Sequence, residues 1–163
     1  MNPTMKRLQS STRANGRGSK GVALAVAALA GVVTIGSTAA AANGITIEKP
    51  WLRFIIKGRP AGGYFTLRND TDRTIELTGA SSIGCGMVML HQSKNEGGVD
   101  KMLPVKTVTV PAHGTLNFRP GSYHLMCMHP QSTVAVGGAV PIALKFADGK
   151  TISADFPVKG PGG

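Results

Sequence analysis

Four residues in the second half of the chain have side chains suited to binding a soft metal ion. His91, Met102, His124 and Met126 form the pattern H-x10-M-x21-H-x-M, which supplies two imidazoles and two thioethers. Thioethers bind Zn²⁺, Mg²⁺ and Ca²⁺ poorly and suit Cu(I) well. No carboxylate belongs to the set, so bound Cu(I) would keep its positive charge. The sequence therefore predicts a Cu(I) site with a neutral His2Met2 ligand set.

The local structure expected around these residues brings them together in two pairs. On a strand, residues i and i+2 point to the same face, so His124 and Met126 can reach one ion. The segment 93–98 is rich in turn formers and is typical of a hairpin tip. A hairpin there would place His91 and Met102 close together at its two bases.

Three further methionines, Met87, Met89 and Met128, occupy alternate positions in the same two segments. Each step of two residues moves a side chain about 6.5 Å along a strand. One ion cannot easily collect them all, so we expect these three side chains to pack in the core. The other histidines of the region, His113 and His129, are expected to be exposed to solvent.

Residues from Ile45 onward are expected to form an all-β domain. Strand-like runs alternate with clusters of Gly, Pro, Asn and Asp, and no segment keeps a helical period. Apolar residues alternate on both sides of Asp148-Gly149, which is a type I′ turn signal. Many short strands in about 120 residues favour a sandwich or barrel. We expect strands near 45–47, 51–56, 63–69, 74–80, 86–91, 103–110, 115–118, 123–128, 139–147 and 150–158.

The first 42 residues are typical of a secretory signal peptide. A polar segment with five basic and no acidic residues precedes an uncharged apolar run at 22–35. A segment of small residues ending at Ala42 follows, as expected before a cleavage site. An uncleaved anchor is the alternative, because residues 22–42 carry no charge and nearly span a bilayer. We expect residues 1–42 to be a signal peptide, 43–158 the folded domain and 159–163 a flexible tail, in a periplasmic or otherwise exported protein.

The charge of the exported part is modest. The whole chain has 18 basic and 8 acidic residues, a net charge of +10. Five of the basic residues precede Val22 and all the acidic ones follow it, which leaves 13 against 8 and a net charge of +5. These bases are scattered and not interleaved with aromatic residues, so no nucleic-acid partner is expected. They form either a solvated surface or a field that steers an acidic partner or an anionic membrane surface.

The two cysteines, Cys85 and Cys127, leave three possibilities open. An exported domain lies in a compartment where disulfides persist, and an even number of cysteines allows all of them to pair. A disulfide, two buried thiols and a role at the metal are all compatible with the sequence. Because Cys127 is adjacent to Met126, a strand would turn its side chain away from the metal.

The spacing of the four candidate ligands resembles the signature of the PCuAC family, the exported bacterial copper chaperones. Flanking segments are also similar: WLR at 51–53, AGGYFTLRN at 61–69, LHQ at 90–92, MLPV at 102–105 and PGSYHLM at 120–126. The resemblance covers residues 45–158. It implies a cupredoxin-like Greek-key β-sandwich or barrel that binds Cu(I) through His91, Met102, His124 and Met126.

The resemblance also implies a function. A copper metallochaperone would hold Cu(I) and pass it by ligand exchange to a partner. The partners implied are copper-donor or copper-acceptor proteins, namely assembly factors or the CuA subunit of cytochrome c oxidase. A monomer without stable membrane insertion after cleavage is expected. Some family members carry a His/Met-rich C-terminal extension that binds Cu(II), and the last residues here, FPVKGPGG, do not resemble it.

Two alternatives and one exclusion come from the residues. A cupredoxin-type electron-transfer protein needs a Cys thiolate and two His, usually with an axial Met. Here one residue separates Cys127 from His129 and no Met lies beyond Met128, so the usual ligand loop is not matched. A copper buffer without specific delivery is the second alternative. An enzyme is not expected, because the sequence has no G-x-S-x-G motif, P-loop or paired acids near the histidines.

Overall fold

The computed structural model describes residues 40–162, and within this range it contains strands and no helix. The strands are β1 Ala40–Ala42, β2 Ile45–Arg53, β3 Ala61–Asn69, β4 Ile75–Ser81, β5 Cys85–Glu96, β6 Val99–Pro104, β7 Val108–Val110, β8 Thr115–Phe118, β9 Tyr123–Pro130, β10 Ala139–Phe146 and β11 Thr151–Lys159. Most of the predicted signal peptide, residues 1–39, lies outside the described residues, and that assignment stays a prediction. Between residues 40 and 162, no helix is long and apolar enough to cross a membrane.

Seven strands close into a barrel in the order β2-β11-β10-β4-β5-β9-β3, with β3 pairing back onto β2. The pairs are antiparallel except for β11 and β2, which run parallel. The four remaining strands extend the barrel at its edges, where β1 pairs β2, β8 pairs β3, β6 pairs β5 and β7 pairs β4. The predicted all-β sandwich or barrel is confirmed.

The last hairpin shows how the alternating sequence builds the core. In β10 and β11 the apolar residues point into the barrel and their neighbours face solvent. Its turn differs from the expected type I′. Of the turn residues only Gly149 has a positive φ, 83°, and its N–H donates to the carbonyl of Phe146 at 3.0 Å. A type I turn followed by one left-handed residue needs a single glycine, which this sequence provides.

The hairpin between β5 and β6 sets the position of Met102. Its two turn residues, Gly97 and Gly98, have φ values of 63° and 82°, which suits a two-residue turn of type I′. Strand β5 therefore continues to Glu96, well into the segment 93–98 that was expected to form the hairpin tip. The resulting register pairs Met102 with Ser93 and His91 with Pro104. The predicted hairpin is confirmed, but Met102 lies one step of two residues nearer the turn than expected.

The predicted strand 103–110 is wrong as one element. Residues 99–104 pair with β5 as β6, whereas Val108–Val110 pair with β4 as β7. Pro104, which has no N–H to donate, is the last residue of β6. The chain then leaves β5 and joins a different strand.

Cys85 and Cys127 form a disulfide with a Cα–Cα distance of 5.4 Å. It joins β5 to β9 on the core side, where Cys127 is fully buried. The side chain of Cys127 thus points away from the outer face, as strand parity predicts. Of the three possibilities that the sequence left open, the structure contains the disulfide.

Candidate metal centre

The outer face of β5 and β9 carries two of the candidate ligands side by side. His91 and His124 are direct partners in the antiparallel pair. Their ring centroids are 5.8 Å apart and their planes stand at 80°. The adjacent Leu90 and Leu125 are buried in the core, so strand alternation puts both histidines on the opposite face. A pairing of distant segments brings these two imidazoles together.

Each histidine keeps a ring nitrogen that could bind a metal. His124 is only 5% exposed, and its Nδ1 lies 3.0 Å from the carbonyl oxygen of Ser122. Because a carbonyl only accepts, Nδ1 carries the proton and the neutral ring has its lone pair on Nε2. Metal-binding histidines commonly donate their other ring N–H in this way. The Nδ1 of His91 is buried and has no hydrogen-bond partner within residues 40–162.

The surroundings of His91 favour its neutral form. Burial lowers the pKa of His91 below its ordinary value, and the neighbouring His124 adds an effect in the same direction. Burial acts because the charged ring loses hydration. A neutral ring at neutral pH is the form that can donate a lone pair to a metal ion.

Met102 lies on the β5–β6 hairpin, opposite Ser93, and shares a cleft with His124 but not with His91 or Met126. Its side chain is 60% exposed. It lines an open cleft of about 380 Å³ together with His124. The other lining residues are Arg53, Tyr64, Ser93, Pro120 and Gly121. No acidic side chain is among them, so the cleft offers nitrogen, sulfur and neutral oxygen donors beside one cation.

Met126 lies on the other side of the histidine pair. It follows His124 by two residues on β9, shares its face and is partly buried. Its direct partners are Met89 on β5 and Gly62 on β3. Gly62 presents no side chain, and the ring of Tyr64 occupies the space that a Cβ there would need.

An aromatic and basic wall on β2 and β3 lies beside His124, and the sequence had assigned it no role. The ring of Tyr64 lies 6.3 Å from that of His124 and 4.7 Å from that of Trp51, between centroids. The guanidinium of Arg53 donates to the Tyr64 hydroxyl at 2.9 Å. These residues lie in the segments 51–53 and 61–69 that carry the family resemblance. That resemblance was the signal from which a role for them could have been predicted.

The expectation that Met87, Met89 and Met128 pack in the core is wrong. Met87 is 52% exposed and the other two are only partly buried. They share strand parity with the histidines, and the intervening residues, such as Val88 and Cys127, supply the core instead.

The exposure expected for the other two histidines is confirmed. His113 and His129 both lie at the surface. The Nε2 of His113 lies 2.9 Å from a carboxylate oxygen of Asp72, outside the cleft. No group of three or more His, Cys, Asp or Glu side chains in the described part of the chain could hold a metal ion.

Comparison with known sequences identifies the family. The family model described as "Putative lipoprotein LpqE-like" matches residues 45–158. The protein named "Putative lipoprotein Lxx21020", from Leifsonia xyli subsp. xyli (strain CTCB07), is 29% identical over 119 residues. That similarity covers 72% of this chain and 71% of the relative.

Solved structures with the same fold include PCuAC domains. The copper-bound PCuAC domain from PmoF2 has a TM-score of 0.65 at 25% identity, covering 76% of this chain and 99% of that domain. Apo-DR1885 from Deinococcus radiodurans has a TM-score of 0.56 at 26% identity, covering 94% and 97%. CuI-DR1885 has a TM-score of 0.50 at 30% identity, covering 69% and 78%. The chain therefore belongs to the LpqE-like family, and its barrel has the cupredoxin-like fold of PCuAC domains.

Proposed function

We propose that this protein is an exported copper chaperone that binds one Cu(I) ion through His91, Met102, His124 and Met126. The observation that carries the proposal is the histidine pair, in which each ring has a nitrogen without a protein partner and the strand register puts both side chains on the same sheet face as Met102 and Met126. Cu(I) accepts imidazole and thioether donors. Two of the similar structures are the copper-bound PCuAC domain from PmoF2 and the Cu(I) form of DR1885, which supports the same metal ion here.

The exposure of Met102 supports transfer rather than storage. A partner can approach the cleft from the hairpin side and replace this thioether first, while the buried His124 still holds the ion. The remaining ligands would follow one at a time, so the ion is never released to water. Copper keeps its oxidation state, and the step only breaks and forms coordination bonds.

The physiological acceptor that we propose is the CuA centre of cytochrome c oxidase or one of its assembly factors, as the PCuAC resemblance implies. The signal-peptide pattern at residues 1–42 and the lipoprotein names of the relatives support an exported location. The net charge of +5 beyond Val22 would favour encounter with an acidic partner.

The state of the cysteines disfavours the alternative of a cupredoxin-type electron-transfer protein. That site needs a thiolate ligand, and the two cysteines of this chain are joined in a disulfide on the core side of β9. The copper-buffer alternative differs from a chaperone only in delivery, so a transfer experiment separates the two.

The experiment mixes the full chain, loaded with one Cu(I), with the soluble apo domain of a CuA subunit under anaerobic conditions. Transfer is compared with release of Cu(I) to a small chelator that does not touch the protein. A chaperone transfers to the CuA domain faster than the spontaneous release rate, because ligand exchange occurs in a complex. Equal rates would identify a buffer and contradict the delivery proposal.

A further inference from the structure

A ladder of methionines continues from the histidine pair along the outer face of β5 and β9. Met89 is the direct partner of Met126, and Met87 is the direct partner of Met128. Partner residues in an antiparallel pair have Cβ atoms about 4.5–5.5 Å apart. The two methionine pairs therefore form consecutive rungs next to the rung formed by the histidines.

The exposure of these side chains is unusual for methionine. Met87 is 52% exposed and belongs to no buried cluster of the described residues. Met89 and Met128 are partly exposed. The core does not need these three thioethers, because Val88 and Leu90 fill the inner face of the same strand. Packing thus leaves the three sulfur-bearing side chains unexplained.

The ladder has a fixed geometry and a defined end. The Cys85–Cys127 disulfide joins the two strands on the inner side of the sheet, directly behind the methionine rungs. At the outer end, Gly86 lies against His129, whose φ of 49° departs from regular strand geometry. A Cβ on Gly86 would lie 3.1 Å from the Cβ of His129. The backbone therefore holds the methionine rungs in one register.

We propose that Met87, Met89 and Met128 form a second, all-thioether site for a Cu(I) ion, separate from the His2Met2 site. Thioethers select soft ions, and no carboxylate or imidazole on these rungs competes for the position. A site without imidazole binds more weakly, so it fills after the first. It lies about 7–13 Å from the histidine rung, one to two steps along the strands.

The second site also provides a route for the ion. Met126 belongs to the first site and is the partner of Met89, so it adjoins both ligand sets. A Cu(I) ion on the outer rung can exchange Met87 and Met128 for Met89 and Met126, and then for the two imidazoles. Each exchange breaks one coordination bond as another forms, with no change in oxidation state.

The test is a titration of the full chain with Cu(I) under anaerobic conditions, with the methionine methyl groups labelled with ¹³C. Single Met→Leu variants assign the resonances. The first equivalent is expected to shift Met102 and Met126. The second equivalent is expected to shift Met87, Met89 and Met128, with saturation at two ions per chain. The triple variant M87L/M89L/M128L should bind one ion with unchanged occupancy of the first site.

Two controls make the result decisive. The variant H91A/H124A removes the first site, and the shifts of Met87 and Met128 should persist in it, which separates failure of this proposal from failure of the chaperone proposal. Met5 supplies a thioether reference elsewhere in the same chain. Saturation at one ion with Met87 and Met128 unmoved would overturn the second site. Equal shifts of Met5 and Met87 would show non-specific thioether binding only, and would also overturn it.

Discussion

Met102 and Met126 lie on opposite sides of the histidine pair along the strand direction. Met102 is opposite Ser93, one step of two residues beyond His91 towards the hairpin turn, whereas Met126 is opposite Met89, one step in the other direction. An ion at the histidines can therefore receive thioethers from two directions. Met102 is exposed and Met126 is partly buried, so the proposed site would have an outer and an inner sulfur ligand.

Replacing either thioether with leucine should weaken Cu(I) binding without unfolding the protein. Met102→Leu and Met126→Leu keep volume and apolarity, so each should cost less than about 1.5 kcal/mol of stability. Loss of one of four ligands should lower the Cu(I) affinity by about tenfold or more, equal to about 1.4 kcal/mol. Competition with a Cu(I)-specific chelator measures the affinity.

A matched control moves the sulfur by one residue. The double variant M102L/L103M has the same composition as the native chain but places the thioether on the other face of β6. It should bind Cu(I) as weakly as Met102→Leu alone. Recovery of native affinity in the double variant would show that the position of this sulfur is unimportant.

Adding a methyl group at Gly62 should disturb the wall beside Met126. A Cβ there would lie 2.7 Å from the hydroxyl oxygen of Tyr64, which must then move away from Arg53. Overpacking of this kind typically costs about 1–3 kcal/mol. We expect Gly62→Ala to lower both the stability and the Cu(I) affinity, measured by chemical denaturation and chelator competition.

Gly79→Ala is the control for that substitution. Gly79 also lies in a strand, and a Cβ there would meet nothing within 4 Å. The control should keep native stability and Cu(I) affinity. If Gly62→Ala behaved like Gly79→Ala in both measurements, the wall would have no part in shaping the site.

Removing the disulfide should affect stability far more than copper binding at the histidines. The bridge links residues separated by 42 positions, and loss of a native disulfide typically costs about 2–5 kcal/mol. We expect C85A/C127A to unfold at lower denaturant concentration yet still bind Cu(I) through the His2Met2 ligands. A folded double variant that has lost this binding would assign the sulfur atoms a role at the metal.

Local patterns in the sequence predicted the parts of the fold that depend on neighbours in the chain. The alternation in 139–158 gave the last hairpin, and the parity of His124 and Met126 placed both on one face. The error in the predicted position of Met102 also has a local cause. Turn formers cover 93–98, but only Gly97 and Gly98 form the turn, and this choice sets the register of the hairpin.

Contacts between segments that are distant in the chain could not be predicted from the sequence. The pairing of β5 with β9 brings His91 opposite His124 and sets Cys85 near Cys127, and no local signal specifies which strands become neighbours. Exposure of Met87 follows from the same pairing. Strand alternation placed Met87 on the same face as His91, which predicted exposure. The hydrophobic character of methionine predicted burial in the core, and that argument was the wrong one to follow.

The ligand set predicts preference for Cu(I) over zinc. Two thioethers are poor donors to Zn²⁺, and the described residues offer no group of three His, Cys, Asp or Glu side chains. Dialysis of the full chain against equal concentrations of Cu(I) and Zn²⁺ should leave Cu(I) bound and Zn²⁺ largely absent. Tight binding of one equivalent of Zn²⁺ would contradict the proposed ligands.

X-ray absorption spectroscopy of the full chain with one equivalent of Cu(I) tests the central proposal most directly, because it reports the donor atoms around the ion. Two nitrogen and two sulfur neighbours are expected, and H91A/H124A should lose the nitrogen shell. In the M87L/M89L/M128L background, which lacks the second site, M102L/M126L should lose the sulfur shell in the same way. A spectrum of the native chain with oxygen and nitrogen neighbours and no sulfur would contradict the His2Met2 site.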